Sequence, residues 1–548
     1  MKSRTRQSCL AILVLLSCFV CIRCSEPYHS PTDTKKKAAG QPRPGGIYRT
    51  PLLNQPASLD PAHMEDIYGI NVVNQVFDGL VQFSEDLLII PALAENWQIE
   101  DGGKAYRFLL RENARFHHGL PVTSRDVVFS LRRLIRTNPA PSILPHLLKI
   151  VGAIEYRNQQ RDELPGVQII NDHEVMVRLE EAYAPFLTAL GMYQAKVVPE
   201  NEVLRDEAGF IRRPVGSGPF SFVSWDGNVI RLQRFPDYYN GPAFLDELHY
   251  VIYPGGRIEE ALADFQNYQL HDIPVQGKIR QALIGQANLQ WFHRPSLSLL
   301  FYGMNCNHML LRNTEIRRVL SLAIDRQKLV ENAYEGQFEP ATGILPPGMP
   351  GYDPEHRKVV SDPSTAQALL SRSLRESISM APTLEIVSAS QSPLAKAEIE
   401  FVRNSWAALG ISVVPKFIPD WTKFQEYLKS DSVQIYRYAW FVDMPDPDNI
   451  FQALFASDSN VNYMHFHNGE LDRLLQLARR IYLPTERAVM YQQIEDQVLA
   501  AQPLIPLVNL SIDHVYHAYV HGVQLSALGD HTVLFHKVWL DPSPGLGN

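Results

Sequence analysis

The loop at residues 443–448 carries the strongest candidate for a ligand-binding charge, because it holds three aspartates and two prolines. The apolar run at 438–442 precedes the loop and predicts a strand buried on both faces. The prolines exclude a helix at this point and stiffen the turn. Asp443 therefore stands at the end of a buried strand, where a fixed carboxylate can hold an ammonium group. Acids beside prolines are more often solvated turn residues, so this interpretation depends on the rest of the chain.

Other candidate groups give weaker evidence of a chemical role. The histidines at 117–118 and the pair His465 and His467 are metal-ligand types, but no third ligand stands at metal spacing, and such pairs are common in exposed loops. Asp446 and Asp448 could form the acid pair of a glycosidase, although Asp-Pro-Asp also suits a turn. No nucleophile-elbow, zinc-protease or phosphate-loop motif is present. We therefore predict a protein that is not an enzyme, with no metal site and no cofactor.

The composition is that of a large globular protein. With 548 residues, 45% of them hydrophobic, the chain is long enough for more than one domain. The net charge of −8 comes without a basic stripe, so we expect no nucleic-acid partner. Proline exceeds glycine, 39 to 31, which favours many fixed turns over a bundle of long helices.

Residues 1–24 differ from the rest of the chain. A basic start is followed by an apolar run at 9–22, which is too short to span a bilayer and is typical of a signal peptide. Cys18 follows a small serine as in a lipoprotein cleavage box, and Cys24 is the second candidate for acylation. An ordinary secretory signal or an uncut anchor are the alternatives. Residues 25–45 predict a flexible tether, and the exported body then keeps only Cys306, which excludes an internal disulfide.

The elements that must position Asp443 have an α/β pattern. Residues 101–103 predict a hairpin turn, and Thr123 predicts the start of a capped helix. An apolar helix pattern at 394–409 ends at a glycine and runs directly into the apolar strand at 411–414. Thr485 predicts the cap of a last helix, which precedes a buried strand at 503–508.

Several motifs occur in an order that resembles a known family. They are Leu-Ala-Glu-Asn-Trp at 93–97, Tyr-Arg-Phe-Leu-Leu-Arg at 106–111, the run from Phe116 to Ser130, Gly-Ser-Gly-Pro-Phe at 216–220, and the helix at 313–325. In this order, over some five hundred residues, they resemble the family 5 extracellular solute-binding proteins, the peptide-binding components of ABC importers. His118 stands where the family usually has Asp, in a surface turn.

The resemblance implies a two-lobed α/β fold of the large periplasmic-binding-protein type, with a hinge between the lobes. It implies a discontinuous first lobe of residues 46–82, 200–296 and 506–548, with an extra subdomain at 83–199. Residues 297–505 would form the second lobe.

The resemblance also implies the site. In the peptide binders, an Asp after the Trp-containing strand takes the amino terminus of the peptide, and that position falls on Asp443. The backbone of Ala439 and Phe441 would pair with the ligand as an added strand, and Trp440 would wall the pocket or fill the core. Some dipeptide-specific relatives hold the ligand carboxylate with an Arg that the stretch 388–392 lacks. The alternatives are that longer peptides bind, that Arg403 or Arg437 binds the ligand carboxylate, or that the ligand has no free carboxylate at this place.

The implied function is capture of di- or oligopeptides outside the cytoplasmic membrane and delivery to an ABC permease in the membrane. We expect a monomer, periplasmic or on the outer face of that membrane and held by a lipid anchor. The family also includes nickel, haem and sugar binders, and a secreted hydrolase or a sensor subunit are the rival functions.

Overall fold

The computed structural model describes residues 41–64, 66–275, 278–355, 359–369, 372–380 and 383–542. The predicted leader, most of the predicted tether and the acylation candidates Cys18 and Cys24 lie outside the described residues. No helix in the described ranges is both long and apolar enough to cross a membrane.

The described strands are short and are spread over the whole chain. They are β1 Ile47–Leu52, β2 Val81–Phe83, β3 Ile89–Pro91, β4 Ala94–Glu100, β5 Ala105–Leu110, β6 Val167–Asn171, β7 Glu174–Arg178, β8 Phe220–Asp226, β9 Val229–Arg234, β10 Glu247–Ile252, β11 Asp272–Pro274, β12 Leu289–Pro295, β13 Ser298–Met304, β14 Glu339–Pro340, β15 Thr383–Ser388, β16 Ser412–Phe417, β17 Ile435–Phe441, β18 Leu504–Asn509, β19 Ser511–His517, β20 Val520–His521 and β21 Trp539–Leu540.

The described helices alternate with these strands. They are α1 Ile67–Val76, α2 Ser124–Arg136, α3 Leu144–Leu147, α4 Ala153–Arg157, α5 Pro185–Ala189, α6 Glu200–Arg205, α7 Glu207–Phe210, α8 Ile258–Gln266, α9 Lys278–Leu283, α10 Thr314–Leu322, α11 Arg326–Ala333, α12 Pro363–Leu369, α13 Arg372–Met380, α14 Pro393–Ala407, α15 Trp421–Leu428, α16 Asp448–Phe455, α17 Gly469–Ala478 and α18 Pro484–Ala501, with short 3-10 helices at Pro61–His63, Asp530–Thr532 and Phe535–Lys537.

The fold is a mixed α/β fold with two lobes. The first lobe contains a four-stranded sheet in the order β1-β10-β9-β8 and a three-stranded antiparallel sheet in the order β11-β19-β12. A separate antiparallel sheet in the order β4-β5-β7-β6 belongs to the extra subdomain. Strands β13 to β18, which lie between β12 and β19 in chain order, form the sheet of the predicted second lobe. The domain boundaries given above stay predictions.

The second lobe is organised around a six-stranded sheet in the order β14-β18-β13-β17-β15-β16. Strands β13 and β18 are buried along their full length. Side chains alternate across the sheet, so that Leu299 and Phe301 enter one apolar cluster while Leu300 and Tyr302 enter the cluster on the other face. Helices therefore cover both faces of this sheet, and β17 lies in its middle.

The elements predicted from the sequence agree with the structure in most places. The turn at 101–103 joins β4 to β5, and Thr123 caps α2 through the Asp126 carboxylate, which accepts from the Thr123 backbone nitrogen at 2.9 Å. The 394–409 helix is α14, and β16 follows it. The prediction for Thr485 was wrong. Helix α18 begins one residue earlier, because Pro484 occupies its first turn, where a missing N–H costs nothing.

Candidate functional site

Strand β17 brings the predicted site residues into the middle of the second lobe. Its amino-terminal residues Ile435 and Tyr436 are buried, but Phe441 at its other end is 60% exposed. The prediction of a strand buried on both faces was therefore wrong for its carboxyl-terminal half. This half leads directly to Asp443, which lines the cavity described below.

The carboxyl-terminal half of β17 also has a free edge. On one side β17 pairs with β13 from Ile435 to Phe441, whereas on the other side its pairing with β15 ends at Tyr436. The Val442 N–H donates to the Leu297 carbonyl at 2.9 Å, so the backbone groups of Val442 point towards the β13 side. Because backbone groups alternate along a strand, those of Ala439 and Phe441 point to the opposite, open edge.

Asp443 follows this open edge directly. Its side chain is solvent-exposed, yet it lines the cleft, and desolvation there raises its pKa above the ordinary value of 3.8. In the part of the chain that the structure describes, no lysine or arginine pairs with it. The Tyr193 hydroxyl is near enough for the Asp443 charge to contribute to the raised pKa of that tyrosine, after burial. The carboxylate is thus available to a ligand cation.

The other two acids of the loop are used in the structure of the second lobe. Arg487 holds Asp446 through two bonds of 2.6 and 2.7 Å, and Arg479 holds Asp448 through two bonds of 2.7 and 2.9 Å. Both aspartates are buried, and paired charges of this kind are costly to separate. They are therefore unavailable as a glycosidase acid pair.

The prolines of the loop have a different effect from the one predicted. They end β17, but α16 begins at Asp448, directly after Pro447. A proline is compatible with the residue just before a helix, since the first N–H groups of a helix have no internal partner. The loop is consequently a short strand-to-helix turn, which leaves Asp443 at its exposed start.

Trp440 lies between the core and the site. Its side chain is half-buried, packs against the apolar cluster on one face of the six-stranded sheet, and donates from Nε1 to Asn449 Oδ1 at 3.2 Å. The Tyr438 ring on the same face lies 5.8 Å from Trp421, which is 51% exposed. The free edge of β17 is thus flanked by aromatic side chains.

The cleft has a second wall from the first lobe that the sequence analysis missed. The empty volume of the cavity is about 690 Å³, which includes the solvent at its mouth. Its polar or charged lining residues from the first lobe include Asn74, Gln75, Asp78, Gln82, Tyr193, Lys196, Tyr238, His531, Thr532 and His536. They come from four distant parts of the chain and form no local motif, so no sequence signal marks them.

Two charges and two histidines stand out on this wall. Lys196 is 8% exposed and Asp78 is 4% exposed; burial lowers the pKa of the lysine and raises the pKa of the aspartate. Burial also lowers the pKa values of His531 and His536, the latter to about 4, so both imidazoles are neutral at pH 7. The Nδ1 atoms of both histidines are buried without a hydrogen-bond partner among the described residues.

The two arginines proposed as alternatives for binding the ligand carboxylate lie outside the cleft. Arg437 donates from Nε to Glu398 at 2.8 Å, and this pair is largely buried. Arg403 is exposed and pairs with Glu400 at 3.2 Å on α14. Neither arginine lines the cleft.

His117, the first residue of one histidine pair, is held by a hydrogen bond to the backbone. His117 accepts from the Gly216 N–H at 3.2 Å, and burial lowers its pKa to about 4. No group of three or more His, Cys, Asp or Glu residues within the described ranges is arranged to hold a metal ion.

Comparisons with known proteins agree on one family. Residues 89–462 match the family model described as bacterial extracellular solute-binding proteins, family 5 middle. The chain is similar to the heme-binding protein A of Haemophilus influenzae, with 27% identity over 79% of this chain and 82% of the relative. It is also similar to a dipeptide-binding protein of Pseudomonas aeruginosa, with 25% identity over 86% of this chain and 91% of the relative.

Solved structures show the same fold. HbpA2 of Haemophilus parasuis superimposes with a TM-score of 0.78 at 24% identity, over 91% of this chain and all of that one. The murein tripeptide-binding protein MppA in its unliganded open form gives 0.79 at 20% identity, over 91% of this chain and 97% of that one. The oligopeptide-binding protein AppA of Bacillus subtilis with a nonapeptide gives 0.68 at 20% identity, over 92% of this chain and 100% of that one.

Proposed function

The chain belongs to the family 5 bacterial extracellular solute-binding proteins, and on that premise we propose that it captures peptides in the cleft between its lobes and passes them to an ABC permease. The observation that carries this proposal is the unpaired Asp443 carboxylate beside the free edge of β17. Relatives named as dipeptide- and peptide-binding proteins support it.

The chemistry of capture follows from that arrangement. The Asp443 carboxylate binds the ammonium group of the peptide in a charge-assisted hydrogen bond. The outward-facing backbone groups of Ala439 and Phe441 pair with the extended ligand, as in other complexes that add a strand to a sheet. Backbone pairing ignores side-chain identity, so the protein accepts peptides of many sequences.

The free edge limits how long the paired segment of the ligand can be. Pairing with β15 stops at Tyr436, and Asp443 lies seven positions further along the chain. At about 3.3 Å per residue, this distance is at most roughly 23 Å. A segment of up to about six ligand residues could therefore lie along β17 before it meets the end of β15.

Contacts of the ligand with both lobes drive closure. Asp443 and the β17 edge belong to the second lobe, whereas Tyr193, Tyr238 and Asn74 face the same cleft from the first. A ligand shifts the balance between open and closed forms only by the difference in its affinity for them. The chain crosses between the lobes at two places, which suits a hinge motion.

Native mass spectrometry of the exported protein, taken from cells without denaturation, tests the proposal. Co-purifying peptides that are released intact support capture. Incubation with a pool of synthetic peptides separates this function from hydrolysis, because new fragments would indicate an enzyme. Absence of any retained peptide, with no binding from the pool by calorimetry, would contradict the proposal.

Haem is the second candidate cargo, because one similar protein is named for heme binding and two neutral histidines line the cleft. His531 and His536 present neutral imidazoles with unpartnered Nδ1 atoms. Neutral imidazole is a common iron ligand. Titration with haem, followed by its absorption spectrum, should show a saturable band that His531→Ala/His536→Ala removes. A spectrum equal to that of free haem would exclude this cargo.

A further inference from the structure

The cleft contains a cationic side chain that has no role in the proposed capture of the amino terminus of the peptide. Of the residues that line the cleft in the described ranges, Lys196 is the one lysine or arginine. Its backbone forms an antiparallel bridge with Gly79. Its backbone is therefore held in place, and its side chain is presented from a rigid segment.

Lys196 is buried without an ion pair. The residue is only 8% exposed, and no carboxylate among the described residues forms a salt bridge with its side chain. Asp78 interacts with it only at longer range, and one oxygen of that aspartate, Oδ2, also has no hydrogen-bond partner in the described structure. A buried ammonium group without a paired anion is costly, and a bound anion would remove this cost.

The position of Lys196 relative to Asp443 indicates which anion. Lys196 lies on the wall of the first lobe and Asp443 on the wall of the second, and both line the same cavity. A molecule with an ammonium group at one end and a carboxylate at the other would satisfy both.

Resting on the proposed peptide function, we propose that Lys196 binds the carboxyl terminus of the ligand, so that a short peptide with both ends free spans the two lobes. This assigns the carboxylate-binding role to a residue of the first lobe in place of the arginine that the stretch 388–392 lacks. Arg437 and Arg403 already pair with Glu398 and Glu400. The closed form then gains two charge-assisted contacts, one from each lobe.

The Asp78 charge opposes the effect of burial, which lowers the pKa of Lys196. Tyr238 and Tyr239 lie close enough to the Asp78 carboxyl group to oppose the rise that burial causes in its pKa. A change of Lys196 to methionine would leave Asp78 buried without its counter-charge. The test therefore uses Lys196→Met and, as a second variant, Lys196→Met combined with Asp78→Asn. The second variant removes both charges together and leaves this wall of the cleft neutral.

Calorimetry with matched peptides tests the proposal. Alanine peptides of two to five residues are compared with their carboxyl-terminal amides, at pH 7.5. For the lengths that bind, we expect the wild-type protein to prefer the free acid by about 10- to 100-fold, the range for one buried charge-assisted bond. Both Lys196 variants should bind acid and amide equally, while Asp443→Asn keeps the preference for the acid.

Four results would overturn the proposal. Equal binding of acid and amide by the wild-type protein would refute the role of Lys196 and leave peptide capture intact. A preference for the acid that survives in both Lys196 variants would do the same. Equal weakening of acid and amide in both variants would reduce Lys196 to a structural role. If no peptide binds the wild-type protein, this proposal and the proposed function both fail.

Discussion

Replacing Asp443 by asparagine separates ligand capture from stability, because the structure gives this carboxylate no partner in the described part of the chain. Asparagine keeps the shape of the side chain and removes its charge. A hydrogen bond to a charged group contributes about 1.5–3 kcal/mol, so capture of peptides with a free amino terminus should weaken about 10- to 150-fold. No arginine is left unpaired, and the free energy of unfolding should change by less than about 0.5 kcal/mol.

The assay compares free-amine and acetylated forms of one peptide by calorimetry, with wild-type, Asp443→Asn and Asp458→Asn proteins. Asp458 is an exposed aspartate that does not line the cleft, and its change should leave both affinities unaltered. Asp443→Asn should remove the preference for the free amine and leave the weak binding of the acetylated peptide as it was. Equal loss for both peptides would refute the role assigned to Asp443.

The pH dependence of capture follows from the same carboxylate. Desolvation raises the pKa of Asp443 above 3.8, so the group takes up a proton at a higher pH than an ordinary aspartate. Only the ionised form pairs with an ammonium group. Affinity for free-amine peptides should therefore fall as the pH drops through the raised pKa, at a higher pH than for an ordinary aspartate. Affinity measured in Asp443→Asn should lack this acid limb.

Three further predictions concern stability. Asp446→Asn should lower the free energy of unfolding by about 3–5 kcal/mol in urea titrations, because it leaves buried Arg487 unpaired; an unchanged midpoint would contradict this. Burial alone would lower the pKa of His514, but the hydrogen bond of 2.6 Å to Asp272 and the charge of Asp530, 3.6 Å away, raise it to about 9. The stability from this group is present below pH 6.5 and is lost as the pH rises through 9, a loss on the order of 2–3 kcal/mol that His514→Gln should abolish. Met444→Ala should cost about 2–4 kcal/mol by calorimetric unfolding, since this side chain from the β17–α16 turn is buried in the apolar core of the extra subdomain.

The contact made by Met444 joins parts of the protein that the predicted domain division separates. Met444 follows β17 of the second lobe, and the Ala184 N–H of the extra subdomain donates to the Arg479 carbonyl at 2.7 Å nearby. Arg480 adds an ion pair with Glu181 at 2.8 Å. The turn that presents Asp443 is thus supported from the first-lobe side as well, which explains how an exposed carboxylate keeps a defined position.

The sequence by itself determined the elements whose signals are local. Thr123 with Asp126, the glycine after α14 and the turn at 101–103 act on residues a few positions away, so their effects can be read from spacing alone. The motif order also indicated the family, which the family match confirmed. Asp443 could be proposed on this basis because one strand, one turn and one acid are contiguous in the chain.

Only the tertiary structure decided which charges are free. Asp443, Asp446 and Asp448 look alike in sequence, but Arg479 and Arg487, thirty-one and forty-one positions further along, pair with Asp448 and Asp446. The open edge of β17 depends on where a different strand, β15, stops. Lys196 and Asp78 meet Asp443 only in the folded cleft. Pairing of this kind depends on the distance between side chains in space, and local side-chain patterns carry no record of that distance.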